Sequence, residues 1–501
     1  MIVNQSIIIA IGAIGYVSIL MFIGVLASRR VGNSTDYIVA GRKLPLGLCV
    51  FTVFATWFGS GTLIGAAGAA YSGGLGAVLA NPFGSALCLL LAGIFYARIF
   101  RRLKLLTLPD LFRTRFGRYA EIIAALSIIP AYVGWVGSIF VAFGTVLNVV
   151  GGFGLETAIL TGAVVTITYT YYGGMWAVSL TDFFQALVII AGLIVLFPLI
   201  LGDLGGWQAL IENSPAGHFD IAPEQSFYGW VMFMQGLLVI GLGNIASQDL
   251  LQRVFSARDE RVAQWSLYLG TVLYLTIAMI PVLIGIAGTI ALPGLADPAA
   301  VLPAMGQAYL PALGMALFVG AMFSALMSSA DGGMLAPASI FGNNVWRAVY
   351  PDVDESRMLN ISRVAVVVVG ILGLATALFF QNVYQLMVKS FSILMVSLFV
   401  PMTAAVYWKK ANETAAVAGM LGGLVCWLVL EYWNLNVAQT LLPAELMAAG
   451  VNLLLLIIVS ILTARQNPAK PSVNVEGQPI EMKDRIGILG FPRSAGQSAI
   501  R

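Results

Sequence analysis

Long apolar segments recur along the whole chain, and they restrict it to a membrane-spanning fold. Thirteen of them reach the roughly 20 residues that a helix needs to cross a bilayer. Only 10% of the 501 residues are charged, whereas soluble proteins carry about 25%. The sequence therefore predicts an all-α polytopic membrane protein with 13 transmembrane helices. We number these spans 1 to 13, and they cover residues 7–28, 46–72, 75–97, 121–150, 155–173, 181–201, 228–247, 265–290, 309–340, 363–381, 384–408, 413–434 and 441–464.

Basic residues lie almost entirely on one side of these spans. Of 26 Lys and Arg residues, 25 follow odd-numbered spans or lie in the tail, counting Arg363 at the first position of span 10, and Lys389 alone lies in the interior of a span. The loop 202–227 carries acidic residues but no basic one. Because basic loops mark the cytoplasmic side, we expect a multi-pass protein of the cell inner membrane. Its N-terminus should lie outside and its C-terminus in the cytoplasm.

Several classes of function lack the residues that they need. Cys49, Cys88 and Cys426 occur singly in apolar runs, and the one histidine, His218, has no ligand pattern around it. No nucleotide-binding GxxxxGK[ST] motif occurs, and a net charge of +3 suggests no nucleic-acid partner. We expect no enzyme activity and no cofactor.

The chain is predicted to form one transmembrane domain, residues 1–464, followed by a polar tail, residues 465–501. The tail has scattered Pro, Gly and Ser, and we expect it to be disordered or loosely attached.

Spans 2 and 7 contain the residues that interrupt helices. Span 2 has glycines at 59 and 61, and span 7 has Gly243, Asn244 and Ser247. Such glycines also allow helices to pack closely, and that alternative stays open. The two spans are five helices apart, however, and many secondary transporters contain two inverted five-helix repeats whose first helices are broken. We therefore predict two repeats and three additional helices. The first repeat covers 46–201, the second covers 228–408, and the additional helices are 7–28, 413–434 and 441–464.

Span 9 combines adjacent serines with a carboxylate, in Ser328, Ser329 and Asp331. Serines often only pack helices together, but hydroxyls and freed carbonyls also supply the oxygens that sodium requires. A carboxylate inside a membrane is a functional candidate. Asp331, with Asp182 and Asp249 near the same ends of their spans, is predicted to serve gating or solute release. Asp182 has an alternative role as a helix cap.

Two motifs carry a resemblance. They are Gly173-Gly174-x-x-Ala177-x-x-x-Thr181-Asp182-x-x-Gln185 and Ala325-x-x-Ser328-Ser329, and the chain resembles the sodium/solute symporter family over nearly all of 1–465. The resemblance implies a LeuT-type core in spans 2 to 11 and sodium-coupled symport of a small organic solute. It also implies a sodium site made by the backbone oxygens of Ala55, Phe58 and Ala325 and the hydroxyls of Ser328 and Ser329. Many members have an Asp where this chain has Trp57.

Within that family the chain resembles the high-affinity choline transporter branch. The matching pieces are Ala55-Thr56-Trp57, Gly134-Trp135, Gln252-Arg253-Val254 and Ser328-Ser329-Ala330-Asp331. Trp57 and Trp135 match two tryptophans of the cage that holds a quaternary ammonium through cation–π contacts. The third cage tryptophan falls at Ser247 and a cage tyrosine at Ser85, so the identity of the solute stays open.

The solute is predicted to bind near mid-membrane, where the two breaks meet. The predicted solute-binding residues are Trp57, Gly59, Ser60, Trp135, Ser247 and Gln248. Three alternatives keep the same scaffold, namely a proton-coupled symporter, a solute channel and a sensor.

Overall fold

A computed structural model describes residues 34–172, 175–432 and 442–480, together with six isolated positions. Predicted spans 2 to 13 are helical in it, and span 1 lies outside the described residues except for single positions. In order, the helices of spans 2 to 13 are Leu46–Trp57 with Gly61–Gly73, Leu75–Leu103, Arg118–Gly151, Leu155–Tyr172, Met175–Asp203, Phe227–Gly243 with Gln248–Ser256, Glu260–Ala291, Ala312–Ile340, Glu355–Phe379, Val383–Tyr407, Glu413–Tyr432 and Ala444–Thr463. Shorter helices are Ser34–Val39, Leu108–Arg115, Trp207–Asn213 and Val301–Tyr309.

Length and composition support membrane insertion. Within the described residues, ten single helices are long and apolar enough to cross a bilayer, and the bent pair of span 2 makes an eleventh. Span 5, Leu155–Tyr172, is a helix of only 18 residues and is interspersed with threonines and tyrosines. The helical core agrees with the predicted all-α fold.

Span 2 is broken near its middle. Leu46–Trp57 and Gly61–Gly73 meet at an angle of 53°. The amide of Phe58 still donates to Phe54 O at 2.9 Å, and the hydrogen-bond ladder resumes where Leu63 N donates to Gly59 O at 2.9 Å. The carbonyls between these two acceptors therefore leave the regular ladder. Thr56 O and Trp57 O accept hydroxyl hydrogen bonds from Ser329 and Thr62, which leaves the carbonyls of Ala55 and Phe58 for a ligand.

Span 7 is interrupted at the corresponding place of the second repeat. Its first helix ends at Gly243, a 3-10 turn covers Asn244–Ala246, and Ser247 is extended before the helix Gln248–Ser256 begins. A Cβ at Gly243 would lie 2.7 Å from the carbonyl oxygen of Phe391. The glycine is needed because span 11 passes so close to the break.

Apart from Lys389, the basic residues of the described part of the chain lie at one end of the bundle, here called the basic end. The loop 104–107 covers this end and is hydrogen-bonded to the second half of span 7 and to the segment that follows span 9. Gln248 Nε2 donates to Leu106 O at 3.2 Å, and Thr107 Oγ1 donates to Asn344 Oδ1 at 2.6 Å. Since Gln248 begins the second half of span 7, the break and the basic end are mechanically connected.

The described part of the tail is folded onto the basic end. Residues 474–478 form a tight turn in which Asn474 N donates to Gln478 O at 2.9 Å. Lys104 Nζ lies 2.9 Å from Glu476 Oε1, and Val475 N donates to Leu103 O at 3.4 Å. This turn thus contacts the end of span 3 through Val475 and Glu476, and disorder of the tail stays a prediction. Residues 481–501 lie outside the description except for Ile486.

Candidate functional site

A small cavity lies where the breaks of spans 2 and 7 face each other. Its volume is about 20 Å³, which is room for about one water molecule. Aromatic side chains of spans 2, 4 and 11 form part of its wall, namely Trp57, Trp135 and Phe391. The other lining residues are Thr56, Gly59, Ser60, Gly61, Asn81, Ser85, Ile240, Asn244, Asp249, Ser329 and Met387. Of the residues predicted to bind solute, Trp57, Gly59, Ser60 and Trp135 thus lie at this cavity.

Neighbouring rings hold the two tryptophans in place. Trp57 meets Tyr274 edge to face with ring centroids 6.3 Å apart. Trp135 packs against Phe391 at 5.6 Å and meets Tyr132 edge to face at 5.6 Å. Contacts of this kind restrict the rotation of a ring, so the cavity has a preorganised aromatic wall.

Buried polar groups line the cavity beside the aromatic wall. The Ser60 and Ser138 hydroxyls are hydrogen-bonded at 3.1 Å. Tyr274 donates to Asn81 Oδ1 at 2.5 Å, so this amide is already engaged. Asn244 differs, because its Oδ1 is buried and has no hydrogen-bond partner in the described part of the chain. An unpaired acceptor at a cavity is a natural partner for a donor group on a solute.

Asp249 is the one charged residue among the described lining residues. The Tyr132 hydroxyl donates to its carboxylate, and the amide of Asp249 donates to Tyr132 Oη at 2.9 Å. Asp249 stands in the first turn of the helix Gln248–Ser256 and is only 1% exposed. Burial of a carboxylate beside an aromatic wall favours a cationic ligand.

The residues predicted to hold sodium converge beside the break of span 2. A Cβ at Gly59 would lie 1.9 Å from Ser329 Oγ and 3.6 Å from Ala325 O. Ser329 Oγ donates to Thr56 O at 2.8 Å. A hydroxyl that gives its hydrogen to a carbonyl keeps its lone pairs free for a cation. Ala55 and Phe58 flank this contact along the chain, so the oxygen-rich set needed by a hard cation is compatible with the geometry.

Ser328 connects the proposed sodium site to Asp182. Its hydroxyl donates to Asp182 Oδ1 at 2.5 Å, and the hydroxyl of Thr52 donates to Oδ2 of the same carboxylate. Asp182 is completely buried. The carboxylate of Asp182 is thus in direct contact with one of the two serines.

Asp331 and Arg253 are further buried charges towards the basic end. Thr170 donates to Asp331 Oδ1 at 2.6 Å, while Asp331 Oδ2 has no partner among the described residues. Arg253 Nη1 donates to Asp249 O at 3.0 Å, and its charge reaches both Asp182 and Asp331. Two buried carboxylates, those of Asp182 and Asp331, therefore lie near one buried guanidinium.

The other two residues predicted to bind solute lie elsewhere. Ser247 is buried in the break of span 7 but is not among the lining residues of the cavity. Gln248 points to the basic end, where Oε1 accepts from Leu108 N at 2.6 Å and Nε2 donates to Leu106 O. Gln248 is thus placed as a contact of the loop 104–107.

Several lining residues were absent from the sequence prediction. Asn244 had a usable signal, since it follows Gly243 directly in an otherwise apolar span. Asn81 precedes Pro82 inside span 3, and this polar pair within a membrane helix is also a signal. Phe391 and Met387 had none, because apolar residues of span 11 look the same whether they face the cavity or lipid.

Comparisons with known proteins indicate the family of the chain. A model of the sodium:solute symporter family matches residues 37–423. A high-affinity choline transporter of Drosophila melanogaster is 31% identical, with 80% of this chain and 68% of its own length covered. The sodium/pantothenate symporter of Escherichia coli (strain K12) is 27% identical, with 84% of this chain and 90% of its own length covered.

Solved structures show the same fold. A sodium-coupled sialic acid symporter, in a substrate-bound outward-open state, superposes with a TM-score of 0.78 at 21% identity and covers 92% of this chain and 99% of its own. A nucleobase-cation-symport-1 family transporter gives a TM-score of 0.59 at 14% identity, over 86% of this chain and 95% of its own. Both have the LeuT-type fold. The family match covers more than half of the chain, and the protein belongs to the sodium:solute symporter family and is a sodium-coupled symporter.

Proposed function

We propose that the protein uses the sodium gradient to carry a small organic cation, with at least one hydrogen-bond donor, into the cell. The observation that carries the proposal is the position of Asp249, a buried carboxylate at a cavity whose wall includes Trp57 and Trp135. Aromatic faces and a carboxylate both attract a positive charge. The solute leaves chemically unchanged, and sodium is the only ion that the proposal requires.

The polar lining favours a solute with a hydrogen-bond donor over a plain quaternary ammonium, which has none. Asn244 Oδ1 is an unpaired acceptor, and Ser85 contributes a hydroxyl to the same lining. A tetraalkylated nitrogen has no N–H to donate, so an amine or a hydroxyl elsewhere on the solute would meet these groups. The similarity to choline transporters supports a cationic solute.

The solute would cross the membrane by alternating access, in which the binding site opens to one side at a time. The central cavity is too small for an organic solute, whereas a cavity of about 240 Å³ lies at the end opposite the basic residues, between Gly65, Ser72 and Asp297. The solute would enter from that side. Movement of span 7 at its break would then pull Gln248 away from the loop 104–107 and open the basic end. We propose that the basic end is cytoplasmic, in an inner membrane.

Reconstitution tests both parts of the proposal. Purified protein in proteoliposomes is given an inward sodium gradient and, separately, labelled choline, ethanolamine, betaine, proline, glucose or pantothenate. We expect sodium-dependent uptake of a cation, and Asp249→Asn should weaken it because the variant loses the negative charge while keeping the shape. Uptake restricted to neutral or anionic solutes would overturn the cation assignment. Uptake that needs no sodium would overturn the coupling.

A further inference from the structure

Gln185 in span 6 is a buried side chain without a visible role. It is completely buried, and neither Oε1 nor Nε2 has a hydrogen-bond partner in the described ranges. Leaving a buried amide unpaired costs about 1–3 kcal/mol per group. A residue of this kind at a membrane interior therefore calls for a ligand.

The packing of span 6 against span 9 fixes the level of Gln185. Asp182 accepts a hydrogen bond from Ser328, and a Cβ at Gly192 would lie 3.2 Å from the ring of Phe318. The two helices are antiparallel, since a later residue of span 6 meets an earlier residue of span 9. Gln185 lies three residues after Asp182 in span 6. Because the two helices are antiparallel, the residue of span 9 at the same depth lies three residues before Ser328, and this residue is Ala325.

The packing of span 6 against span 2 gives the same level independently. Asp182 accepts a hydrogen bond from Thr52, and the ring centroids of Phe51 and Phe183 are 4.9 Å apart. Both helices run from the basic end to the opposite end. Three residues of helix rise about 4.5 Å, so Gln185 lies level with Ala55, three residues after Thr52.

We propose that the carboxamide oxygen of Gln185 is a further sodium ligand, beside the backbone oxygens of Ala55 and Ala325; this rests on the proposed function. Sodium takes neutral oxygens readily, as other hard cations do. Asp182 and Gln185 lie on one face of span 6, because residues three apart in a helix are neighbours. The face thus presents a carboxylate below the sodium and an amide oxygen beside it.

Two substitutions separate a ligand from a packing residue. Gln185→Met keeps the length of the side chain but removes the oxygen, and Gln185→Glu keeps an oxygen and adds charge. Gln264→Met in span 8 is the matched control, because Gln264 is also buried but bonds to Arg98 and Gly93 O. Each variant is purified, its thermal unfolding midpoint is measured against sodium concentration, and uptake is measured in proteoliposomes over the same range.

The expected pattern differs from that of a lost packing contact. Gln185→Met should raise the half-saturating sodium concentration about tenfold, corresponding to about 1.4 kcal/mol. Without sodium it should unfold at the same or a higher temperature than the parent, because an unpaired buried amide has been removed. Gln264→Met should lower that temperature and leave the sodium dependence unchanged. Gln185→Glu should need less sodium than the parent.

The failures are distinguishable. A parent protein that shows no sodium response in either assay overturns the proposed function. A parent that responds to sodium, with Gln185→Met responding at the same concentrations, overturns the ligand role alone. If Gln185→Met yields no folded protein, Gln185→Glu decides the question, since a raised half-saturating concentration for that variant contradicts the proposal.

Discussion

The hydroxyl of Ser329 donates a hydrogen bond of 2.8 Å to the carbonyl oxygen of Thr56, and so joins span 9 to the broken part of span 2. The two spans belong to different repeats, and a cation bound between them would hold the repeats together. Any movement of one repeat against the other must therefore change the ligand set. Such an arrangement links sodium occupancy to conformation, as population shift requires.

The serine hydroxyls give the first prediction. Ser328→Ala and Ser329→Ala should each raise the sodium concentration for half-maximal uptake about tenfold, because a charge-assisted contact is worth about 1.5–3 kcal/mol. Ser127→Ala is the control, since the hydroxyl of this buried serine of span 4 bonds within its own helix, to Ile123 O. Uptake in proteoliposomes over a sodium series gives the constants. Unchanged constants for both variants would remove the hydroxyls from the site.

Gly59 gives a steric prediction for the same site. A methyl group there would lie 1.9 Å from Ser329 Oγ, well inside van der Waals contact, so Gly59→Ala should abolish sodium-dependent uptake or reduce it at least about tenfold. Gly47→Ala lies in the same span with nothing within 4 Å of the new methyl. It should fold and transport like the parent. Equal uptake by the two variants would show that Ser329 does not approach the break so closely in the membrane.

The orientation proposal is tested by labelling. Cysteines are placed singly at Glu212 and Gln466, which are exposed, in a chain whose native cysteines are replaced by alanine. A membrane-impermeant maleimide added to intact cells should label only the first, and disruption of the membrane should expose the second, because basic loops stay in the cytoplasm. Labelling of both positions in intact cells would contradict the proposed side for the basic end.

Local patterns predicted much of this molecule, for physical reasons. Glycines at Gly59 and Gly243 mark places where the backbone leaves the helix or another helix comes close, so both breaks were visible in the sequence. The spacing of Ser328 and Ser329 places both hydroxyls near one level of span 9. The sequence did not predict that the side chain of Gln248 points to the basic end. A side chain just after a helix break can point either into the cavity or away from it, and the local sequence does not distinguish the two. Phe391 reaches the cavity through packing between distant spans, and apolar patterning does not encode that partner.

Trp57 gives the last prediction, which concerns coupling between sodium and solute. It is the last residue of its helix, directly before Phe58 and two residues after Ala55, and both of these neighbours are proposed to give carbonyls to sodium. A bound cation would fix the backbone that carries the indole, and by reciprocity solute and sodium should tighten each other's binding by the same factor.

For a cationic solute, the affinity at saturating sodium should fall in the order parent, Trp57→Phe, Trp57→Ala. The attraction between the face of the side chain and a cation falls in that order, and each such contact is worth about 0.5–2 kcal/mol. For a neutral solute the two variants should differ only by packing. Isothermal titration with the transported solute, at low and saturating sodium, measures both the order and the coupling. Equal affinities for all three proteins would place Trp57 outside the binding site and remove the aromatic part of the argument for a cation.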